Sequence, residues 1–260
     1  KKREQKPSSI SRKISAIRQF YKFLIQENRI SEDPSLFIEA PSPTHRLPKS
    51  ISAVSLEKIL NVVILGSHYQ EVQEAEIKEN SIQLQKIEAL KLRDRAMVFF
   101  LYATGVRVSE LIHLTLIHVD LEGQFAKVFG KRRKERIVPF VPVVTRYLDE
   151  YLEKARPLLA RPLEQDSGIL FIGQNGEPLT RQGFWKILKK IAMTSGVTEN
   201  LHPHLLRHTF ATDLLKSGMD LRSLQMLLGH ADLQTTQIYT HIAPEHLQAV
   251  IKKYHPRGNG

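Results

Sequence analysis

Three stretches of the sequence carry residue types suited to moving a phosphoryl group. That chemistry needs cations where negative charge develops, a proton donor for the leaving oxygen and a nucleophile. In ATGVRVSEL, Arg107 follows Gly105, and Glu110 lies three residues on, where a helix would let its carboxylate hold the guanidinium. The same spacing also fits an ordinary surface ion pair. In HPHLLRHTFATDLL, His204 and Arg207 share a helical face, and His208 sits one turn beyond His204. Two histidines at that spacing can ligate zinc, but the glutamate of an HExxH motif is absent and there is no cysteine, so no metal site is expected. In LLGHADLQTTQIYTHI, His230 follows Gly229 and Tyr239 comes nine residues later. A lone tyrosine there is more often packing than nucleophile.

The elements that would position these groups can be read from periodicity. Ile10, Ile14, Ile17, Tyr21 and Leu24 recur at spacings of four and three, with Arg18 and Lys22 elsewhere on the turn, which predicts an amphipathic helix with a basic outer side. Pro34, Pro41, Pro43 and Pro48 then interrupt helix and mark a linker. The division expected is an N-terminal helical segment over 1–40, a linker over 41–50 and a large domain over 51–260. Ser52 can cap the next helix. The polar stretch from Gly66 to about Lys91, rich in Glu and Lys, reads as an exposed helical excursion. DRAMVFFLYATG reads as a buried helix ended by Gly105, and SELIHLTLIHV as a second helix. QFAKVFGKRRKERIVPF alternates on both sides of a basic turn and predicts a β-hairpin with Lys131, Arg132, Arg133 and Lys134 at its tip. ILFIGQNGEPL repeats the pattern in brief, with Asn175-Gly176 as its turn. From Thr180 onward the chain reads as helical. The fold class expected is mainly α with a small antiparallel β-sheet.

Composition narrows the partner. The chain has 260 residues, 42% hydrophobic and 25% charged, values of an ordinary folded protein that argue against a disordered or fibrous one. No apolar run of membrane-spanning length is present, and KKREQK is not followed by the apolar core of a signal peptide. A cytoplasmic setting without membrane association is the default expectation. A net charge of +11 favours a polyanionic partner, although many plain enzymes are also basic.

Taken in order, Arg…Lys…His-x-x-Arg…Gly-His…Tyr forms a constellation, and here the chain resembles the tyrosine recombinases of the phage-integrase family, of the bacterial Xer type. The resemblance runs from LRDRAMVFFLYATGVRVSEL through GKRRKERIVP and LTRQGFWKILKKIA to HPHLLRHTFATDLLKSGMDLRSLQMLLGHADLQTTQIYTHI and the tail KKYHPRG, so it covers nearly the whole chain. It implies a site-specific recombinase that cleaves and rejoins double-stranded DNA through a 3′-phosphotyrosine, without ATP, metal or other cofactor. Chromosome dimer resolution at a dif-like site is the process it suggests. An integrase of a mobile element, a type IB topoisomerase and a non-catalytic regulator on the same fold are the alternatives.

Residue by residue, the resemblance implies that Arg107 and Arg207 bracket the scissile phosphate and that Glu110 positions the first of them. His204 would accept the proton of the attacking phenol, His230 would bond a phosphoryl oxygen, Lys131 would protonate the leaving 5′-oxygen, and Tyr239 would be the nucleophile. Candidates for DNA contact are Arg18, Lys22, Arg46, Lys49, Arg132, Arg133, Lys134, and Arg181 and Gln182 at the start of a helix. For the last two, helix capping is the competing assignment. The family also implies a tetramer on two DNA sites or a paired second recombinase, with a septal DNA translocase as a further partner. A terminal helix opened by Pro244-Glu245 would dock on a neighbouring protomer or pack on its own domain. The N-terminal segment is shorter, and the 66–91 stretch longer, than the family pattern.

Overall fold

The structure, a computed structural model, describes residues 7–39, 41, 50–70, 81–130, 135–162, 165–229, 251 and 254–257. The chain divides into two units, Lys1–Lys49 and Ser50–Gly260.

In the first unit, α1 (Pro7–Gln26) is the predicted amphipathic helix. Ile14 is buried and Ile10, Tyr21 and Leu24 are half-buried along its stripe. A 3-10 turn, Pro34–Phe37, follows, capped by the Asp33 carboxylate, which accepts from the Ser35 N–H at 2.8 Å.

The second unit is built around a helix whose C-terminal turns are apolar on every side. In α3 (Ser81–Thr104), all residues from Ala96 to Ala103 are buried, as expected of a helix enclosed by others. Around it pack α2 (Ala53–Leu65), α5 (Pro142–Glu150) with a π-helical turn at Tyr151–Ala155, α6 (Arg156–Leu159) and α8 (Pro203–Lys216). The Ser52 hydroxyl caps α2, accepting from the Ser55 N–H at 3.0 Å. Gly105 ends α3 at a φ of +59°, and a Cβ there would collide with the edge of the Phe210 ring. The turn is therefore closed to any larger residue.

Two expectations are corrected. The 66–91 stretch is not one exposed excursion. Residues 71–80 lie outside the described set, but Ser67–Tyr69 is a 3-10 turn with His68 buried, and from Ser81 the chain is already in α3, with Ile87, Ala89 and Leu90 buried. Glu88 and Lys91 take the outer side of the same turns and pair at 2.7 Å, which gave the segment its polar look. His68 and Tyr69 both reach the buried Asp94 carboxylate, at 3.2 and 3.0 Å, whose other oxygen is held by Arg93. Burial alone would raise the Asp94 pKa; the Arg93 charge and the His68 contact outweigh it and hold it below the usual carboxylate range.

The second correction concerns SELIHLTLIHV. Only α4 (Val108–Ile112) is helical, after which a 3-10 turn (Leu116–His118) leads into β1 (Val119–Asp120). Tertiary hydrogen bonds override the local pattern: Leu116 N–H donates to the Gly168 carbonyl at 2.9 Å, and Leu170 N–H donates to the Leu114 carbonyl at 2.7 Å.

The predicted hairpin is present as β2 (Phe125–Phe129) and β3 (Glu135–Pro139), antiparallel, with β1 added on the far side of β2. In this register Val128 faces Arg136 and Ala126 faces Val138. The tip, 131–134, lies outside the described residues. The second hairpin is reduced to an isolated bridge between Ile172 and Pro178, with Gly176 at positive φ. Two more helices follow among the described residues, α7 (Arg181–Ser195) and α9 (Leu221–Leu228). Near the end of the chain, Ile251 and His255 are buried on their own unit, the His255 ring lying against Tyr102 of α3 and Phe210 of α8. Burial, with the Arg257 charge beside it, lowers the His255 pKa to about 4, so it docks as a neutral ring.

Candidate nucleic-acid cleavage site

The site is assembled from four chain segments that meet at the end of α3. Arg107 is the residue before α4, and the predicted i,i+3 contact forms. Its Nη1 donates to Glu110 Oε1 at 2.9 Å, while its backbone N–H donates to Oε2 at 2.8 Å. The Glu110 side chain is only 2% exposed. Arg207, on α8, donates through Nη1 to the Gly105 carbonyl and through Nη2 to the Leu228 carbonyl at 2.7 Å. Arg107 Nη2 meets the next carbonyl, Gly229, at 3.3 Å. Two guanidinium groups predicted from distant motifs thus converge on neighbouring main-chain oxygens, at the point where the chain turns toward His230.

One residue at this site was missed by the sequence reading. Arg136 on β3 grips both Glu110 oxygens, Nη1 to Oε1 and Nη2 to Oε2, each at 2.8 Å, and its Nε donates to the Leu227 carbonyl at 3.2 Å. A signal was available: in KERIVPF the strand alternation puts Arg136 on the same side as Val138, so a charged residue points toward the core. Such an arginine requires a buried acceptor.

The electrostatics follow from this crowding. Burial pushes the Glu110 pKa up, but the fork of Arg136 and the two contacts from Arg107 outweigh it and bring the pKa down to about 2. Burial lowers Arg207, and the charges of Arg107 and Arg136 lower it further, to about 10, against the opposing pull of Glu110. Arg207 therefore remains a cation at neutral pH. Since three arginines surround one carboxylate, the cluster carries excess positive charge and suits an anion.

A pH prediction follows for Glu110. Its folded pKa lies below the unfolded value, so its contribution is fully present above about pH 4.5 and is lost as pH falls toward 2. The difference corresponds to about 3 kcal/mol. In urea unfolding, wild type is expected to exceed Glu110→Gln in stability at pH 7 and to converge with it on acidification. Parallel curves for the two proteins would exclude this role.

His204 stands exposed one turn before Arg207. With Val108, Arg181, Gln182, Trp185 and Asn200 it lines a pocket of about 440 Å³. The cap of α7 is made by the Thr180 hydroxyl, which accepts from the Gly183 N–H at 2.9 Å, so Arg181 and Gln182 are left exposed at that pocket. On α1, Lys22 is exposed, and Arg18 donates to the Ile38 carbonyl at 2.9 Å, which fastens the following turn. Lys131, His230 and Tyr239, together with Arg46, Lys49, Arg132, Arg133 and Lys134, lie outside the described residues. Among the described residues, no helix is long and apolar enough to cross a membrane.

Comparison with known proteins agrees with this geometry. Residues 71–246 match the model of the phage integrase family. The chain is 42% identical over 257 residues to tyrosine recombinase XerD of Listeria innocua, covering 99% of this chain and 79% of the relative. It is 39% identical to tyrosine recombinase XerD of Staphylococcus aureus, covering 97% and 78%. Among solved structures, a XerA recombinase matches at 26% identity and a TM-score of 0.56, over 97% of this chain and 86% of that one. XerH site-specific recombinase bound to its difH substrate matches at 28% and 0.54, over 77% and 52%. With the arginine cluster in place and the family model spanning most of its length, the chain belongs to the phage integrase family of tyrosine recombinases, enzymes of site-specific recombination that cleave and rejoin DNA.

Proposed function

We propose that the protein cuts and exchanges DNA strands through a 3′-phosphotyrosine at Tyr239, at a dif-like site, in the resolution of chromosome dimers. The observation that carries this reading is the convergence of Arg107 and Arg207 on adjacent acceptors beside Glu110, on the segment that leads to His230. Two planar forks so placed can each bind a non-bridging oxygen of one phosphate. The similarity to XerD proteins supports the chromosomal role.

In this mechanism His204 takes the phenolic proton of Tyr239, whose unperturbed pKa of about 10 makes it a poor nucleophile at neutral pH without a base or nearby cations. The phenolate oxygen attacks phosphorus, the bond to the deoxyribose 5′-oxygen breaks, and Lys131 supplies that oxygen's proton. His230 bonds a phosphoryl oxygen. The phosphodiester is kept as a phosphotyrosine, so a 5′-hydroxyl from another strand can reverse the attack without ATP or metal. Arg18, Lys22, Arg46, Lys49, Arg132, Arg133 and Lys134 contact duplex phosphates, with Arg181 and Gln182 at the groove. The working unit is a tetramer on two sites in the cytoplasm, or a pairing with a second recombinase, controlled by a septal DNA translocase.

The test is a dif-like duplex nicked near the scissile phosphate, with label 5′ to the cleavage point. Label should pass to the protein and map to Tyr239, leaving a free 5′-hydroxyl that a kinase can phosphorylate. Label on another residue, or a free 3′-phosphate with no adduct, would sink the reading. Lys131→Ala should slow cleavage by about 10²–10⁴-fold. A 5′-bridging sulfur, a leaving group that hardly needs a proton, should restore most of that loss; no restoration removes the general-acid role.

A further inference from the structure

Arg136 makes three hydrogen bonds inside the protein and keeps only 15% of its side chain exposed, so it is not free to bind substrate. Its partners are the groups that hold the other two arginines. By taking both Glu110 oxygens in a fork, it sets the plane of the carboxylate whose same two oxygens receive Arg107 Nη1 and the Arg107 N–H. At the end of α9, three successive carbonyls, Leu227, Leu228 and Gly229, are held by Arg136, Arg207 and Arg107 in turn. These are acceptors that a helix C-terminus leaves without intrahelical partners. Gly229 sits in the left-handed region at a φ of +66°, and a Cβ there would come within 3.0–3.3 Å of Arg136 Cδ, Nε and Cζ. The glycine backbone thus rests against the Arg136 guanidinium. Arg136 also lies on β3, the strand that follows Lys131 in sequence.

We infer that Arg136 is a positioning residue for DNA cleavage, joining the Lys131 hairpin, the Arg107–Glu110 pair and the turn before His230 into one frame that aims Arg107 and Arg207 at the scissile phosphate. Without it, Glu110 keeps Arg107 as its only described charged partner, the Leu227 carbonyl loses its donor, and the alignment of the two forks relaxes. A misplacement of about 1 Å at a reacting centre can cost on the order of 100-fold in rate.

The inference rests on the phosphotyrosine reading, and the experiment separates the two. Single-turnover cleavage is measured at saturating protein on the nicked dif-like duplex and on the same duplex with a methylphosphonate at the cleavage point. The methylphosphonate has lost a non-bridging charge and depends less on aligned arginines. Arg136→Ala is expected to cleave ordinary DNA about 100-fold more slowly, with half-saturation unchanged within about threefold, and the deficit should fall below about tenfold on the methylphosphonate. Arg136→Lys, which keeps the charge but not the fork, should remain at least about 30-fold slow. Arg136→Lys at the wild-type rate, Arg136→Ala within threefold of it, or an equal deficit on both substrates would overturn the positioning role. Should Arg136→Ala not fold, Arg136→Lys is carried through both substrates, and an equal deficit on the two, or none, again overturns the role. A wild-type protein that forms no adduct overturns the parent reading as well, whereas an adduct with an indifferent Arg136 overturns this inference alone.

Discussion

Tyr239→Phe is expected to bind its DNA site within about twofold of wild type yet to form no covalent protein–DNA species, a loss on the order of 10⁴-fold or more. The substitution removes one oxygen and keeps the ring, so it changes the chemistry far more than the side-chain volume. On the proposed reading that oxygen is the atom that stores the phosphodiester as an ester, and phenylalanine has nothing to offer in its place. A gel shift and a denaturing gel on the same nicked duplex separate binding from chemistry. An adduct formed by Tyr239→Phe would place the nucleophile elsewhere and cancel the role given to His204.

Arg207→Ala is the second large effect, with cleavage slowed by about 10²–10³-fold. Arg207 is part-buried, flanked by Arg107 and Arg136, and tied to the Gly105 and Leu228 carbonyls. Its removal leaves two carbonyls without that partner and, on the proposed reading, takes a fork of donors from the phosphate. Arg207→Lys keeps a charge but cannot reach both acceptors in one plane, so it should recover less than a tenth of the lost rate. Full recovery by lysine would mean that charge alone is required.

The parts of the site that could be read from the sequence are those written in local spacing. Arg107 and Glu110 are three residues apart and form their pair within one turn. The hairpin of β2 and β3 follows from approximate alternation on both sides of a basic stretch. What escaped the reading is carried by long-range contacts. Arg136 meets Glu110 across 26 positions, and only the register of β3 hinted that it points inward. The carbonyls of Leu227, Leu228 and Gly229 have no signature at all, since every residue brings one. β1 is two residues long, too short for alternation to register. The start of α3 was hidden because Glu88 and Lys91 decorate turns whose other side, Ile87 and Leu90, is core.

The three carbonyls at the end of α9 carry one more consequence. Arg107 and Arg207 each commit some of their five N–H donors to oxygens of the protein itself, so on the proposed reading an incoming phosphate is offered the donors that remain. Each fork is then shared between substrate and main chain, and contacts elsewhere along the DNA add to the strength of duplex binding. Where a phosphate does draw an arginine away from the Leu228 or Gly229 carbonyl, the end of α9 loses a tie, which couples substrate arrival to the packing of that helix end.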